Sequence, residues 1–198
     1  MIRHNVSTVA SEGLVAAGVG IATFLGYLPT VAPGVTYIDS GELATVCTLL
    51  GIAHPTGYPL FTLLGRIVAM MPVAAEEVAR LNLFSTAVVA TATGVLYRLL
   101  LMVQDAVTVF PSRSPRSSAP GWVRRGVPMI IALSLAFTPT VWMQATSMEV
   151  YALHYLALIL ILTLLIRGLK EIQEEKVSTS RWLVLAAYVT GLSFANHM

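Results

Sequence analysis

Charge is what this sequence has least of. Only 11% of its 198 residues are Asp, Glu, Lys or Arg, while 56% are hydrophobic; an ordinary soluble domain carries roughly 25% charged residues. So little polar surface cannot cover a water-soluble globule, and the mean hydropathy of +0.77 makes lipid the solvent for most of the chain. Cysteine is almost missing as well. Cys47 stands alone, which excludes an internal disulfide and any cysteine-based zinc site and leaves a small apolar residue packed in a helix. No basic tract is interleaved with aromatics, so nucleic acid is not a partner the sequence supports. No internal repeat or inverted half is visible.

Apolar runs fill the space these absences leave. Five of them, at 13–31, 81–103, 127–145, 150–169 and 182–197, are each close to the ~20 residues that cross a ~30 Å hydrocarbon core as a helix. Helices are the form lipid permits, because unpaired backbone groups cannot be satisfied there. The expectation is an all-α polytopic membrane protein: a single transmembrane domain over 1–198 with about five spans, a first external loop at 32–80 and a cytoplasmic linker at 105–126. Glu12 before the first run and Pro33 after the nearest cleavage candidate, Ala32, make that run an uncleaved anchor rather than a signal peptide. Ser85, Thr86, Thr91, Thr93 and Gly94 punctuate the second run, and such small residues place a helix inside a bundle.

Lys and Arg orient the spans. With a cytoplasmic N-terminus, Arg3, Arg98, Arg113, Arg116, Arg124, Arg125, Arg167, Lys170, Lys176 and Arg181 all lie inside, and only Arg66 and Arg80 outside. The linker 111–121 (PSRSPRSSAPG) reads as flexible, with its positive charge facing anionic headgroups. The segment 168–180 reads as a solvated helical extension.

The first external loop carries the chemistry. Asp39-Ser40-Gly41-Glu42 opens an apolar stretch to Leu50, the run from Gly51 to Pro59 breaks the chain, and Leu60 to Met71 reads as helix with an apolar stripe. Pro59 suits the first turn of that helix, and two short amphipathic helices in the outer interface are expected. Asp39 and Glu42 fit a near capping box, a role compatible with an exposed carboxylate oxygen accepting a proton beside His54. The topology also brings Gln144, Ser147, Glu149, Tyr151, His154, Asn196 and His197 to the outer face, with Arg66, Arg80 and Asn82. Ionisable groups at membrane depth are expensive and usually functional.

The run Asp39-Ser40-Gly41-Glu42, then Gly51-Ile52-Ala53-His54-Pro55-Thr56-Gly57-Tyr58-Pro59-Leu60, then Leu64-Gly65-Arg66 and Arg80-Leu81-Asn82, resembles the protein O-mannosyltransferase-like family of the GT-C membrane glycosyltransferases. Trp142-Met143-Gln144-Ala145, Glu149-Val150-Tyr151 and Gly191-Leu192-Ser193 with Asn196-His197 resemble it too. The resemblance runs from Tyr37 onward. It implies transfer of a sugar, mannose, from a polyprenyl-phosphate donor to a hydroxyl of a protein or glycan acceptor, on the periplasmic or extracellular side and with inversion. Asp39 would be the base and Glu42 its neighbour. His54, Tyr58, Arg66, Arg80, Asn82, Glu149, Tyr151, His154, Asn196 and His197 would bind substrate, Arg66 and Arg80 being the outer cations for the phosphate. No metal or other cofactor is required, although Asp39, Glu42 and Glu149 are potential ligands for a divalent ion. Family members carry more helices, so the chain is expected to be the N-terminal part of a longer protein. The competing readings are a transporter or lipid flippase, which would place charges mid-span and show internal repeats, and a non-catalytic membrane subunit.

Overall fold

A computed structural model describes residues 6–36, 39–55, 57–108, 120–175 and 179–197. Arg3, Arg113, Arg116, Lys176, Tyr37 and Thr56 lie outside the described residues, as does most of the serine- and proline-rich linker. All regular structure among the described residues is helical: α1 Val6–Tyr27 with a short 3-10 turn Leu28–Thr30, α2 Ser40–Leu49, α3 Pro59–Ala69, α4 Glu77–Thr108, α5 Gly121–Ala136, α6 Pro139–Thr146, α7 Val150–Glu175 and α8 Arg181–Phe194. All five apolar runs become helices. Helices α4 and α5 reach Thr108 and start at Gly121, so they enter both ends of the expected cytoplasmic linker.

Three helical stretches are long and apolar enough to cross a membrane: Ala10–Thr30, Glu77–Ala106 and Val150–Glu174. The third apolar run is not one straight span. It bends by 68° between α5 and α6 because Pro139 opens a new helix and holds Thr138 extended at φ −68°, ψ 147°. As a broken pair, α5 and α6 supply a fourth span. The fifth run forms only the 14 residues of α8, roughly 21 Å at 1.5 Å per residue, short of the core thickness.

Helix α4 is the axis of the bundle. Its apolar window is 61% buried inside the protein, against 22% for each of the other two spanning stretches, as its small polar residues led us to expect. A Cβ on Gly94 would stand 2.7 Å from the Ala16 carbonyl oxygen, so glycine is what lets α1 and α4 cross. Carbonyls released by breaks elsewhere find partners on the inner helices. The Tyr27 hydroxyl donates to the Ala136 oxygen at 2.5 Å, at the α5 break, and the Thr86 hydroxyl donates to the Ala145 oxygen at 2.7 Å, at the end of α6. Each removes an orphan acceptor that lipid would leave unsatisfied.

The loop helices are anchored to one end of this bundle. Gly65 of α3 lies directly against the Cys47 side chain of α2, which explains both the complete burial of the lone cysteine and the close packing of the two short helices. Asn82, fully buried at the start of α4, donates to the carbonyls of Ala32 (2.7 Å) and Gly34 (3.1 Å) and accepts from the Met148 N–H (2.7 Å). One side chain thus ties the entry to the first loop to the α6–α7 connection.

Candidate functional site

The site grows from three turns that meet at that end: the start of α2, the glycine- and proline-rich segment before α3, and the α6–α7 connection. Asp39 occupies the N-cap position of α2, but its side chain makes no capping hydrogen bond. The helix entry is instead closed by buried Ser40, whose hydroxyl accepts from the Thr36 N–H at 2.9 Å. Glu42 does not complete a capping box either. Its carboxylate reaches across to the next turn, where Oε1 accepts from the His54 N–H at 2.6 Å and Oε2 lies 3.1 Å from His54 Nδ1. Near-capping spacing is present in the sequence, yet both carboxylates face the site rather than their own helix.

His54 then passes the connection on. Its Nε2 is 3.0 Å from the Tyr58 hydroxyl, so Glu42 fixes the Nδ1–H tautomer and leaves Nε2 to accept from tyrosine, an assignment made from the network. Tyr58 sits at φ 46°, ψ 52°, a left-handed conformation that costs a non-glycine residue about 1–2 kcal/mol. Gly57 before it, at φ 91°, and Pro59 after it, at the first turn of α3, pin the chain into that shape. Backbone strain of this kind concentrates at sites where geometry matters.

His197 is the hub of the far wall. Its ring centroid lies 5.8 Å from Tyr58, 5.2 Å from Tyr151 and 5.6 Å from His154. The chain reaches it through Asn196, buried, whose amide donates to the Val150 carbonyl at 3.1 Å, and through the Leu60 N–H, which donates to the Ala195 carbonyl at 2.9 Å. The Nδ1 atoms of His154 and His197 and the Oδ1 of Asn196 are buried with no hydrogen-bond partner among the described residues.

The carboxyls are tuned apart by these surroundings. Two hydrogen bonds from His54, first its backbone N–H and then its ring, hold Glu42 below its ordinary 4.5. Half-buried Glu149 is pushed up to about 6, chiefly by desolvation and then by the charge of Asp39. Burial raises the Tyr58 hydroxyl, and the charges of Tyr151, Asp39, Glu42 and Glu149 add to it. Such Coulombic coupling requires proximity, so Glu149 belongs with Asp39 and His54 although it comes from another part of the chain.

Asp39, Glu42 and His54 each offer a ligand atom, all within 4.8 Å of one another. This is not the Asp39–Glu42–Glu149 set considered from the sequence. Both ring nitrogens of His54 are already engaged, and a cation would have to displace Glu42 or Tyr58 from one of them.

The structure therefore brings together Asp39, Glu42, His54, Tyr58, Glu149, Tyr151, His154 and His197. The other expected site residues, Arg66, Arg80, Asn82 and Asn196, each donate to backbone carbonyls. Arg80 donates to the carbonyls of Ala69 (2.6 Å), Ala74 (2.7 Å) and Ala75 (2.9 Å), clamping the turn after α3. Arg66 donates to the Thr48 carbonyl near the end of α2. Asn82 and Asn196 hold backbone. What sequence reasoning missed is Ser40 as the true closure of α2 and the Glu42–His54–Tyr58 chain. A buried-polar signal existed for neither, since Ser40 lies in an ordinary turn and the chain depends on a left-handed Tyr58.

Residues 39–198 match the family described as the protein O-mannosyl-transferase TMEM260 N-terminal domain. The chain is 32% identical over 188 residues to the mouse protein O-mannosyl-transferase TMEM260, covering 94% of this chain and 24% of that protein. It is 26% identical over 174 residues to a Dictyostelium discoideum protein of the same name, covering 85% of this chain and 19% of that one. The chain thus spans less than a quarter of the length of either relative. No solved structure matches it.

Proposed function

The chain belongs to the protein O-mannosyl-transferase TMEM260 N-terminal domain family, and from that premise we propose that it supplies the acid–base face of a membrane enzyme that transfers mannose from a polyprenyl-phosphate donor to a protein hydroxyl. The observation that carries this reading is the gathering of Asp39, Glu42 and His54 within 4.8 Å, with Glu149 near enough to feel the charge of Asp39.

In this reading Asp39 is the general base. A hydroxyl is a poor nucleophile, and a carboxylate within hydrogen-bond reach accepts its proton as the oxygen attacks the anomeric carbon. Asp39 suits the role because its carboxylate is half-buried and makes no hydrogen bond to its own helix. The O–C bond forms on the face opposite the departing phosphate, so the sugar is inverted and the lipid phosphate leaves with the bonding pair. Glu42 stays ionised and orients His54, which in turn positions Tyr58 toward the sugar-binding wall of Tyr151, His154 and His197. The leaving phosphate is already anionic and calls for cationic stabilisation rather than a proton. Arg66, with one N–H on a carbonyl, retains donors for it, whereas Arg80, with three, serves as a helix-end clamp. The chemistry runs without a divalent ion, within a GT-C architecture, with the cluster on the non-cytoplasmic side to which the ten-to-two distribution of Lys and Arg assigns it.

The test uses the full polypeptide that carries this chain, reconstituted with polyprenyl-phosphate mannose and an acceptor peptide. Asp39→Asn should lose at least ~10²-fold in transfer rate, the usual weight of a general base, with its melting behaviour intact. Full activity in that variant would remove Asp39 from the chemistry. A chelator should leave the wild-type rate unchanged.

A further inference from the structure

The far end of the bundle holds a second feature that the transfer reaction does not use. Between α1 and α4 runs an apolar groove of about 450 Å³, within the size range of ligand pockets. Gly13 and Arg98 lie at one end of it and Phe24 and Ala87 at the other. Eleven residues along either helix amount to roughly 17 Å, close to the depth of one leaflet, half of a ~30 Å core. Gly94 and Gly20, which let the two backbones meet, form its floor.

Arg98 is the one charged residue lining the groove. It stands sixteen residues, about 24 Å, along α4 from Asn82 and therefore far from the carboxylate cluster. No hydrogen bond or ion pair engages it among the described residues. Its neighbour Arg124, at the same end, is neutralised by Glu12 and Asp105 at 3.0 Å each. Arg98 does face a like charge, since it and Arg181 both act repulsively on Arg167. An unpaired guanidinium at the mouth of a leaflet-deep apolar slot is complementary to a negative head on an apolar tail.

We propose that the α1/α4 groove seats one acyl chain of an anionic glycerophospholipid whose phosphate is held by Arg98. The inference is independent of the transfer reaction: it concerns the opposite end of the bundle and survives if Asp39 is not the base.

The experiment places the full polypeptide in phosphatidylcholine vesicles with a trace of spin-labelled phosphatidylglycerol or spin-labelled phosphatidylcholine, and reads the immobilised lipid fraction. Wild type should select phosphatidylglycerol. Arg98→Gln should cut that selectivity about tenfold, the weight of one charge-assisted hydrogen bond to the phosphate. Ala87→Trp and Thr91→Trp, at exposed positions on the groove wall, should lower immobilised phosphatidylglycerol while helix content is unchanged. Arg125→Gln removes an equal charge at the same end but outside the groove and should retain selectivity. Equal losses from Arg98→Gln and Arg125→Gln would reduce the effect to surface attraction and overturn the proposal. So would groove-filling variants that bind lipid as wild type does, or a Thr91→Cys variant that cross-links to another transmembrane helix, which would assign the groove to protein.

Discussion

The two ends of this bundle handle charge in opposite ways. At one end Arg124 meets Glu12 and Asp105 across three helices, α1, α4 and α5, so that one guanidinium pairs with both carboxylates. At the other, Asp39 and Glu42 gather around His54 and Tyr58, and Glu149 feels the charge of Asp39, with no arginine or lysine paired to these carboxylates among the described residues. The first arrangement is what a membrane protein does to hold helices together, since an ion pair lowers the cost of each buried charge. The second leaves charge uncompensated, and that is the arrangement from which proton transfer and substrate binding are built. Carboxylates met by arginine therefore make a joint at one end, and carboxylates met by histidine and tyrosine make a candidate site at the other.

The contrast can be broken most directly by paired substitutions. Asp39→Asn at the site end should cost the ~10²-fold or more expected of a base without altering the melting temperature. Asn82→Ala should give the largest stability loss, about 2–4 kcal/mol in detergent unfolding, because it strands two carbonyls and one N–H that Asn82 now satisfies. Arg124→Gln at the joint should lower stability by about 1–2 kcal/mol, since it uncovers the well-buried Glu12, and should leave transfer within about twofold of wild type because the two ends are independent. An Arg124→Gln variant that lost transfer as completely as Asp39→Asn would show that the ends are coupled.

The smallest effect sharpens the comparison through pH. Glu149 is raised from 4.5 to about 6 by burial and by Asp39. The folded state therefore binds a proton more tightly than the unfolded chain between those values. The contribution of Glu149 to stability is fullest below pH 4.5 and declines as pH rises through 6. The neutral Glu149→Gln has no such decline, so it should be the more stable protein above pH 6. The gain should be on the order of 1 kcal/mol or less, because the group is only half-buried and screened by solvent, and it should vanish near pH 4.5. Thermal melts at pH 4.5 and 7.5 decide this, and a gain that is equal at both would remove the ionisation of Glu149 from the explanation.

Much of this architecture was legible in the amino-acid order. Long apolar runs declared the membrane, the small polar residues of α4 declared the central helix, and Pro59 with its following apolar stripe declared α3. The bend in the third run was less visible, because hydropathy averages across Thr138 and Pro139 while the backbone does not. The capping-box spacing of Asp39 and Glu42 misled for a related reason. A local pattern states which bond is within reach and not which competing bond is stronger, and the two hydrogen bonds from His54 outcompete the helix end for Glu42. Arg66 and Arg80 were the two cations the sequence offered to the first loop, yet three carbonyls around the α3–α4 turn claim Arg80.

By itself the sequence determined that the chain lives in lipid, as helices, with a polar first loop, because transfer free energies add locally residue by residue. Only the tertiary structure decided which polar groups find one another. His197 reaches Tyr58, and Glu149 feels Asp39, through the crossing of α4 with its neighbours and the left-handed turn at Tyr58. Electrostatic and hydrogen-bond energies depend on distances of a few ångströms between atoms far apart in the chain, and no local pattern encodes those distances.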